Sequence, residues 1–138
     1  MEGILRIVVQ NAKGVDVTHY FLKENQFCTI LKSFTEETIA GESIQAACAV
    51  KVRMIHKRRL MELYTQLPYL RAIIDGVIQK GLIDKINTRN AYLGLDSAAR
   101  YEMFLSRQPE IATRVALSDV AAYLEVTPQS LSRIRRKK

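Results

Sequence analysis

Residues 117–138 read LSDVAAYLEVTPQSLSRIRRKK. Apolar residues recur at helical spacing in two short runs that are separated by a brief link. Ser118 is a candidate N-cap for a helix over residues 119–124, and Thr127 followed by Pro128 predicts the start of a second helix. Two short helices joined by a tight turn are typical of a helix-turn-helix, so the pattern predicts this motif.

The second helix of the motif has two chemically different faces. Leu131 and Ile134 are expected to pack on the apolar residues of the first helix, while polar and basic side chains project from the other side. Glutamine can pair with adenine and arginine with guanine, and hydroxyl groups near a helix N-terminus suit phosphate oxygens. The candidate DNA-binding residues are Thr127, Gln129, Ser130, Ser132, Arg133, Arg135 and Arg136.

Composition points to a polyanionic partner. The chain of 138 residues has a formal net charge of +7, and Lys and Arg release condensed counterions when they neutralise phosphates. Part of this charge lies in the last six residues, from Arg133 to Lys138. A second basic run, from Lys51 to Arg59, is interpreted as a solvated face. A length of 138 residues excludes a large multi-domain enzyme.

Few residues are available for metal or redox chemistry. Cys28, Cys48, His19 and His56 are the only cysteines and histidines, too few for a disulfide scaffold, an iron–sulfur cluster or a structural zinc site. We therefore expect no cofactor. The sequence has no apolar run long enough to span a bilayer and no signal-peptide-like start, which predicts a cytoplasmic protein without a membrane partner.

The N-terminal third has the pattern of β-structure. Residues 3–9 are apolar and β-branched, residues 11–16 contain Asn, Gly and Asp, and residues 17–21 resume an extended pattern, which together predict a hairpin. A less regular stretch, Cys28 to Glu42, comes next. Apolar residues then alternate with polar ones from Ser43 to Ile55, which predicts a half-buried strand.

The period becomes helical at Lys57, and Pro68 ends or kinks the first helix. The next helix has an apolar stripe too wide for one supporting surface. Its partners are either the β unit and the same helix of a second subunit, or the surrounding core of a monomer. Glycines at Gly76 and Gly81 suit a close approach of two backbones. The candidate dimerisation residues are Leu70, Ile74, Val77 and Gly81.

A third helix is predicted from Ser97, a candidate N-cap, towards Gln108, and Pro109 begins a further helical turn. Strands followed only by helices predict an α+β protein. The expected division is a β unit with a short helix over 1–68, a long helix over 69–94 and a helix-turn-helix domain over 95–138.

The C-terminal stretch closely resembles the helix-turn-helix of Crp/Fnr-family bacterial transcription regulators. The preceding order also resembles that family: strands, Asn25-Gln-Phe27 entering a loop, Ser43-Ile-Gln-Ala46 entering a strand, a short helix and a long helix. The resemblance covers nearly the whole chain. It implies a partial β-roll of the cyclic-nucleotide-binding type, a long dimerisation helix and a helix-turn-helix without a full wing.

The resemblance implies a homodimer joined along a helix from Tyr69 to about Leu93, which binds a palindromic operator in double-stranded DNA. RNA polymerase is a further candidate partner. Ser132 and Arg133 match the Ser-Arg pair that many members use for base contacts. Gln129 departs from the usual Glu, and Glu125 stands where a turn glycine is usual.

The nucleotide site departs from the family pattern. Thr29 and Ile30 stand where the family has Gly-Glu, and Glu42 stands where it has the arginine that binds the cyclic phosphate. A carboxylate facing that phosphate would repel it, so no binding of cyclic AMP is expected. The segment from Met1 to Arg6 resembles the interior of a member, which predicts a β-roll shortened at its N-terminus. A fragment, an internal translation start and a reduced protein remain alternatives.

Three functional hypotheses follow. The first is a DNA-binding transcription regulator. The second is a protein-interaction module that dimerises but no longer binds an operator. The third is an enzyme, which the sequence disfavours because its nearest acid–base pair, Asp16 and His19, would point to opposite faces of a strand.

Overall fold

The computed structural model describes residues 2–136 and has a mixed α/β fold. Its elements, in chain order, are β1 (Leu5–Gln10), β2 (Asp16–Leu22), α1 (Leu31–Glu36), β3 (Ser43–Ala46), α2 (Lys57–Gln66), α3 (Pro68–Ala91), α4 (Ser97–Arg107), α5 (Pro109–Arg114), α6 (Leu117–Leu124) and α7 (Pro128–Arg136). One compact unit contains the three strands, α1 and helices α4 to α7, and a second contains α2 and α3.

The predicted hairpin is present. β1 and β2 pair antiparallel, and the Asn11 side chain closes the turn by accepting hydrogen bonds from the backbone N–H groups of Lys13 and Val15 at 2.9 and 3.1 Å. Gly14 follows in the left-handed region with φ 73°, which glycine adopts without strain. The register shifts after Ile7, so the hairpin carries a β-bulge.

The predicted strand over residues 43–55 is wrong beyond Ala46. β3 ends with the pair Leu5–Ala46, and beyond it the pairing continues as an isolated antiparallel bridge between Glu2 and Lys51. Gly3 has φ 89°, and a Cβ there would lie 2.3 Å from the Ala49 carbonyl oxygen. The backbones at Gly3 and Ala49 are thus too close for a residue with a Cβ at position 3, and the regular pairing is interrupted here. The apolar residues left exposed as a result are Val52, Met54 and Ile55.

The stretch between β2 and β3 is less irregular than its sequence indicates, because it contains the six-residue helix α1. None of the residues of α1 is buried, and six residues are too few to show a helical period in the sequence. Its C-cap, Glu37, lies in the left-handed region with φ 56°.

Helices α2 and α3 of the second unit begin and end close to the predicted positions. The His56 Nδ1 atom accepts a hydrogen bond from the Arg58 backbone N–H and so caps α2. Pro68 is the first residue of α3, where its missing N–H is not needed. Leu60 and Ile74 are the buried residues of these two helices. No helix within residues 2–136 combines the length and apolar character needed to cross a bilayer.

Helix α4 is capped one residue earlier than predicted. Asp96, and not Ser97, is the N-cap, and its carboxylate accepts a hydrogen bond from the Ala99 N–H at 2.8 Å. An ionised carboxylate binds the N-terminal amides more strongly than a hydroxyl does. Helix α5 begins at Pro109, as the sequence predicts.

The core of the first unit joins the sheet to the helices. An aromatic cluster of Phe21 from β2, Phe104 from α4 and Tyr123 from α6 has ring centroids 5.3 to 6.4 Å apart. These rings are tilted to one another, an arrangement that aromatic pairs favour. The helix-turn-helix and the sheet are therefore packed into the same unit.

Candidate nucleic-acid interface

Helix α6 begins two residues before the predicted start. Its N-cap is Ala116, which makes no side-chain cap hydrogen bond, so Ser118 is not the cap. Ser118 is the second residue of the helix and is exposed. The acidic residue of the first turn is Asp119, whose carboxylate suits the positive end of the helix dipole.

The turn after α6 contains one residue in the left-handed conformation. Glu125 has φ 57° and ψ 40°, the left-handed region where a glycine is usual. The Val126 N–H donates to the Ala121 carbonyl at 3.0 Å and so closes the end of the helix. The polypeptide thus makes the tight turn with a residue that is disfavoured there.

Replacing Glu125 with Gly is expected to raise the free energy of unfolding by about 0.5–1 kcal/mol. Removing the Cβ relieves roughly 1–2 kcal/mol of left-handed strain, and the greater freedom of the unfolded glycine offsets part of that gain. Chemical denaturation measures the change. Glu125→Ala is the matched control because it keeps the Cβ, and an equal gain in that variant would trace the effect to charge and contradict the account.

The N-terminus of α7 confirms the predicted cap. The Thr127 Oγ1 atom accepts from the Ser130 backbone N–H at 3.1 Å and donates to the Ser130 hydroxyl at 2.9 Å. The Thr127 hydroxyl proton is therefore engaged within the helix terminus. The Ser130 hydroxyl accepts in this pair, so its own proton can be donated to another acceptor.

The two faces of α7 differ as the sequence predicts. Leu131 is fully buried and Ile134 is half-buried, and this side packs towards α6. The opposite side is a shallow open surface lined by Pro128, Gln129, Ser132, Arg133 and Arg136. We call these five residues the recognition surface. Within it, Arg136 Nη2 donates to the Ser132 hydroxyl at 3.4 Å, one helical turn away.

Arg135 lies apart from the recognition surface. It lines a small cavity of about 60 Å³ whose other walls are residues of α4 to α6 and their connections, Tyr101, Phe104, Ala112, Val115, Leu117 and Val120. Arg135 and Arg136 are about 100° apart around the helix, so the two side chains point in different directions. Lys137 and Lys138, which complete the basic run, lie outside the described residues.

Two residues that support the turn were not singled out from the sequence. The Arg100 guanidinium donates to the carbonyl of Leu95 at 3.0 Å and to that of Leu124 at 3.4 Å, at the end of α6. Gln108 Nε2 donates to the Tyr123 hydroxyl at 3.0 Å. The Arg100–Leu124 and Gln108–Tyr123 hydrogen bonds join α4 and its C-cap to α6. The partners are far apart in sequence, and apolar periodicity does not predict such pairs.

Ion pairs connect the sheet side of this unit with its helices. Arg6 in β1 pairs with Asp119 in α6 at 2.6 Å, and Lys23 after β2 pairs with Glu110 in α5 at 2.6 Å. Arg114 Nη2 donates to Glu24 at 2.6 Å. Hydrogen bonds from Arg114, from the backbone of Glu24 itself and from the Gly3 backbone N–H lower the pKa of Glu24 to about 2.

Other candidate residues are not brought together. Asp16 accepts a hydrogen bond from Gln10 at 3.3 Å, while the His19 ring lies 5.6 Å from that of Tyr20. Ile30 is the N-cap of α1, and Glu42 is half-buried just before β3. Among residues 2–136 no three His, Cys, Asp or Glu side chains are grouped to hold a metal ion.

The predicted dimerisation residues all lie on α3 but differ in exposure. Ile74 is buried, Leu70 and Gly81 are half-buried, and Val77 is exposed. Two further exposed apolar residues, Tyr69 and Ile73, precede Val77 at intervals of four and therefore share its side of the helix. We call Tyr69, Ile73 and Val77 the apolar face of α3.

Neither a family model nor a curated protein sequence matches the chain. Solved structures do. One is a structure from Eubacterium rectale that is assigned to the Crp/Fnr family of transcriptional regulators. It has a TM-score of 0.73 at 13% identity, and the match covers 99% of this chain and 65% of the Eubacterium rectale chain. The c-di-GMP-responsive global regulator of Xanthomonas campestris has a TM-score of 0.68 at 16% identity, covering 99% and 73%. A cyclic nucleotide-binding domain protein from Listeria monocytogenes has a TM-score of 0.67 at 12% identity, covering 99% and 69%.

These likenesses confirm the predicted fold, which is that of Crp/Fnr regulators and cyclic-nucleotide-binding domain proteins. The chain spans about 65% of the length of the Eubacterium rectale structure. At 12–16% identity the comparison establishes the arrangement of elements, and the function has to be inferred from the residues described above.

Proposed function

We propose that this chain is a DNA-binding transcription regulator of the Crp/Fnr type, which acts as a homodimer and catalyses no reaction. One observation supports DNA binding most strongly. The recognition surface is exposed on one side of α7, while Leu131 on the other side is fully buried. A short helix anchored by one face and basic on the other suits insertion into the major groove. The regulator-like fold supports the same conclusion.

The proposed roles of the individual residues follow from their positions. Arg133 is exposed and can donate two hydrogen bonds to a guanine, and Gln129 can pair with an adenine. Arg136 and Ser132, already hydrogen-bonded to each other, form a paired donor group beside them. Ser130 is assigned to a phosphate oxygen, whereas Thr127 serves mainly to fix the helix start. Arg135 is assigned to electrostatic attraction to the DNA phosphates and not to a base contact.

The proposed dimer places the apolar face of α3 against the same face of a second copy. Ile73 is 56% exposed and Val77 42%, so both offer area that a partner can cover. A methyl group added at Gly76 or Gly81 would meet no atom of residues 2–136 within 4 Å. Within this part of the chain no contact requires glycine at these helical positions, and a close approach of a second helix would explain it. The predicted segment 69–94 is proposed as the dimerisation element.

Replacing Ile73 with Glu is expected to raise the dimer dissociation constant more than tenfold, because dimerisation would bury an unpaired charge. Sedimentation at protein concentrations up to tens of micromolar measures it. Gln79→Glu is the control, since Gln79 is exposed and lies about 120° around the helix from Ile73. If the wild-type chain is monomeric throughout this range, the dimer is contradicted.

Cyclic AMP is not proposed as the effector. By the family resemblance Glu42 takes the place of the phosphate-binding arginine, and it is half-buried, so its carboxylate would meet the cyclic phosphate with a like charge. A calorimetric titration with cyclic AMP is expected to give no binding up to millimolar ligand. Micromolar affinity would contradict this prediction.

Selection of binding sites from random-sequence duplexes tests the proposed function. A dimer with two α7 helices is expected to enrich a palindrome whose half-sites lie about one helical turn, roughly 10 base pairs, apart. No enrichment, together with a dimer that sediments normally, would favour the alternative of an interaction module, which the exposed apolar face of α3 also supports.

A further inference from the structure

Arg6, in the central strand of the sheet, connects four elements through one side chain. The sheet order is β2-β1-β3, so Arg6 lies in the strand that has neighbours on both sides. Its Nη1 atom donates to the Thr18 hydroxyl in β2 at 3.3 Å and its Nη2 atom to the Gln45 side chain in β3 at 2.9 Å. Nη1 also lies 2.6 Å from the Asp119 carboxylate in α6. The guanidinium is thus held by the sheet and presented to α6.

The Arg6–Asp119 pair is shielded from water. The two side chains are 18% and 16% exposed, so solvent and salt screen their attraction less than that of a surface pair. Asp119 lies in the first turn of a helix whose N-cap makes no side-chain hydrogen bond. Asp119 is therefore the acidic group of the first turn at that helix end, and Arg6 is its ion-pair partner.

Helix α6 in turn supports α7. Val120, Ala121 and Leu124 of α6 and Leu131 of α7 are all buried, and the turn between the helices is short. Because packed helices shift as units, a displacement of α6 also displaces the recognition surface. The Lys23–Glu110 pair is more exposed than the Arg6–Asp119 pair, with side chains 46% and 61% exposed, and it contacts α5 and not α6.

We infer that Arg6 is a positioning residue for DNA recognition: it holds α6 through Asp119 and thereby sets the orientation of α7. This inference rests on the proposed function, because it gives the sheet a role in sequence readout. Arg6 does not line the recognition surface and acts only through α6. Its loss should impair contacts that depend on the orientation of α7, and spare attraction that depends only on charge.

The first test needs no DNA. Amide hydrogen exchange is compared in the wild-type chain, Arg6→Met, Asp119→Asn and Lys23→Met, at a temperature where circular dichroism shows all four folded. We expect exchange along α6 and α7 to accelerate on the order of tenfold in the first two variants and to stay unchanged in Lys23→Met. Wild-type exchange in both Arg6→Met and Asp119→Asn would overturn the inference.

The second test compares the affinity for a selected duplex with that for a scrambled duplex. In Arg6→Met the affinity for the selected duplex is expected to fall about tenfold relative to the scrambled one, and Arg6→Lys should restore part of it. The double variant Arg6→Met/Asp119→Asn should be no weaker than the single variants. Equal losses on both duplexes would indicate a merely structural role and overturn the inference. If the wild-type chain binds neither duplex, the proposed function fails, and the exchange experiment still decides the positioning of α7.

Discussion

Phe104→Ala is expected to lower the free energy of unfolding by about 3–5 kcal/mol, the usual loss for a buried aromatic residue. Phe104 is fully buried and contacts the rings of Phe21 and Tyr123. These rings come from a strand and from α6, so the cavity would open where the sheet meets the helix-turn-helix. The unfolding of the sheet and of α4 to α7 should therefore shift together.

Denaturant unfolding followed by circular dichroism measures this change. Phe27→Ala is the matched control, because Phe27 is 59% exposed and its loss should change the free energy by no more than about 0.5 kcal/mol. Separate transitions for the sheet and the helices in the Phe104 variant would contradict the joint packing described here.

Arg133→Ala is expected to weaken binding to a selected duplex by roughly 10- to 100-fold per half-site. A bidentate arginine–guanine contact contributes about 1–3 kcal/mol of discrimination, and truncation removes both hydrogen bonds. Arg133 is exposed and lies on the surface of α7, so its removal should leave the fold intact. Specificity should relax at one base position in each half-site.

Fluorescence anisotropy with the selected duplex and single-base variants of it measures the effect. Arg107→Ala is the control, since it removes the same charge from an exposed site on α4. Equal weakening by both substitutions would show that only net charge matters and would contradict base readout by Arg133.

The helix-turn-helix could be predicted from the sequence because its signals are local. The apolar spacing of Leu131 and Ile134 and the Thr127-Pro128 start lie within a few residues of the structure they specify. The position of Glu125 in the turn follows from the family resemblance, in which a glycine is usual there. The predicted N-cap of α6 is wrong because Ser118 has the chemistry of a capping residue, whereas the helix begins at Leu117 and has Asp119 in its first turn.

The connections between sheet and helices could not be predicted. Arg6 and Asp119 are far apart in the chain, and a periodic pattern contains no information on which distant charges meet. The error in β3 has the same origin, because the alternation continues to Ile55 although the close approach of Gly3 and Ala49 interrupts the regular pairing, which returns as an isolated bridge between Glu2 and Lys51. The exposure of individual residues of α3 could not be predicted either, because the apolar stripe of this helix does not distinguish buried Ile74 from exposed Val77.

The most direct test of the central claim is the affinity of the wild-type chain for a selected and a scrambled duplex at two salt concentrations, measured by fluorescence anisotropy. The account predicts affinity for the selected duplex at least about 10³-fold tighter, and a fall in affinity for both as salt increases. Weak binding that is equal on the two duplexes would contradict sequence recognition by α7.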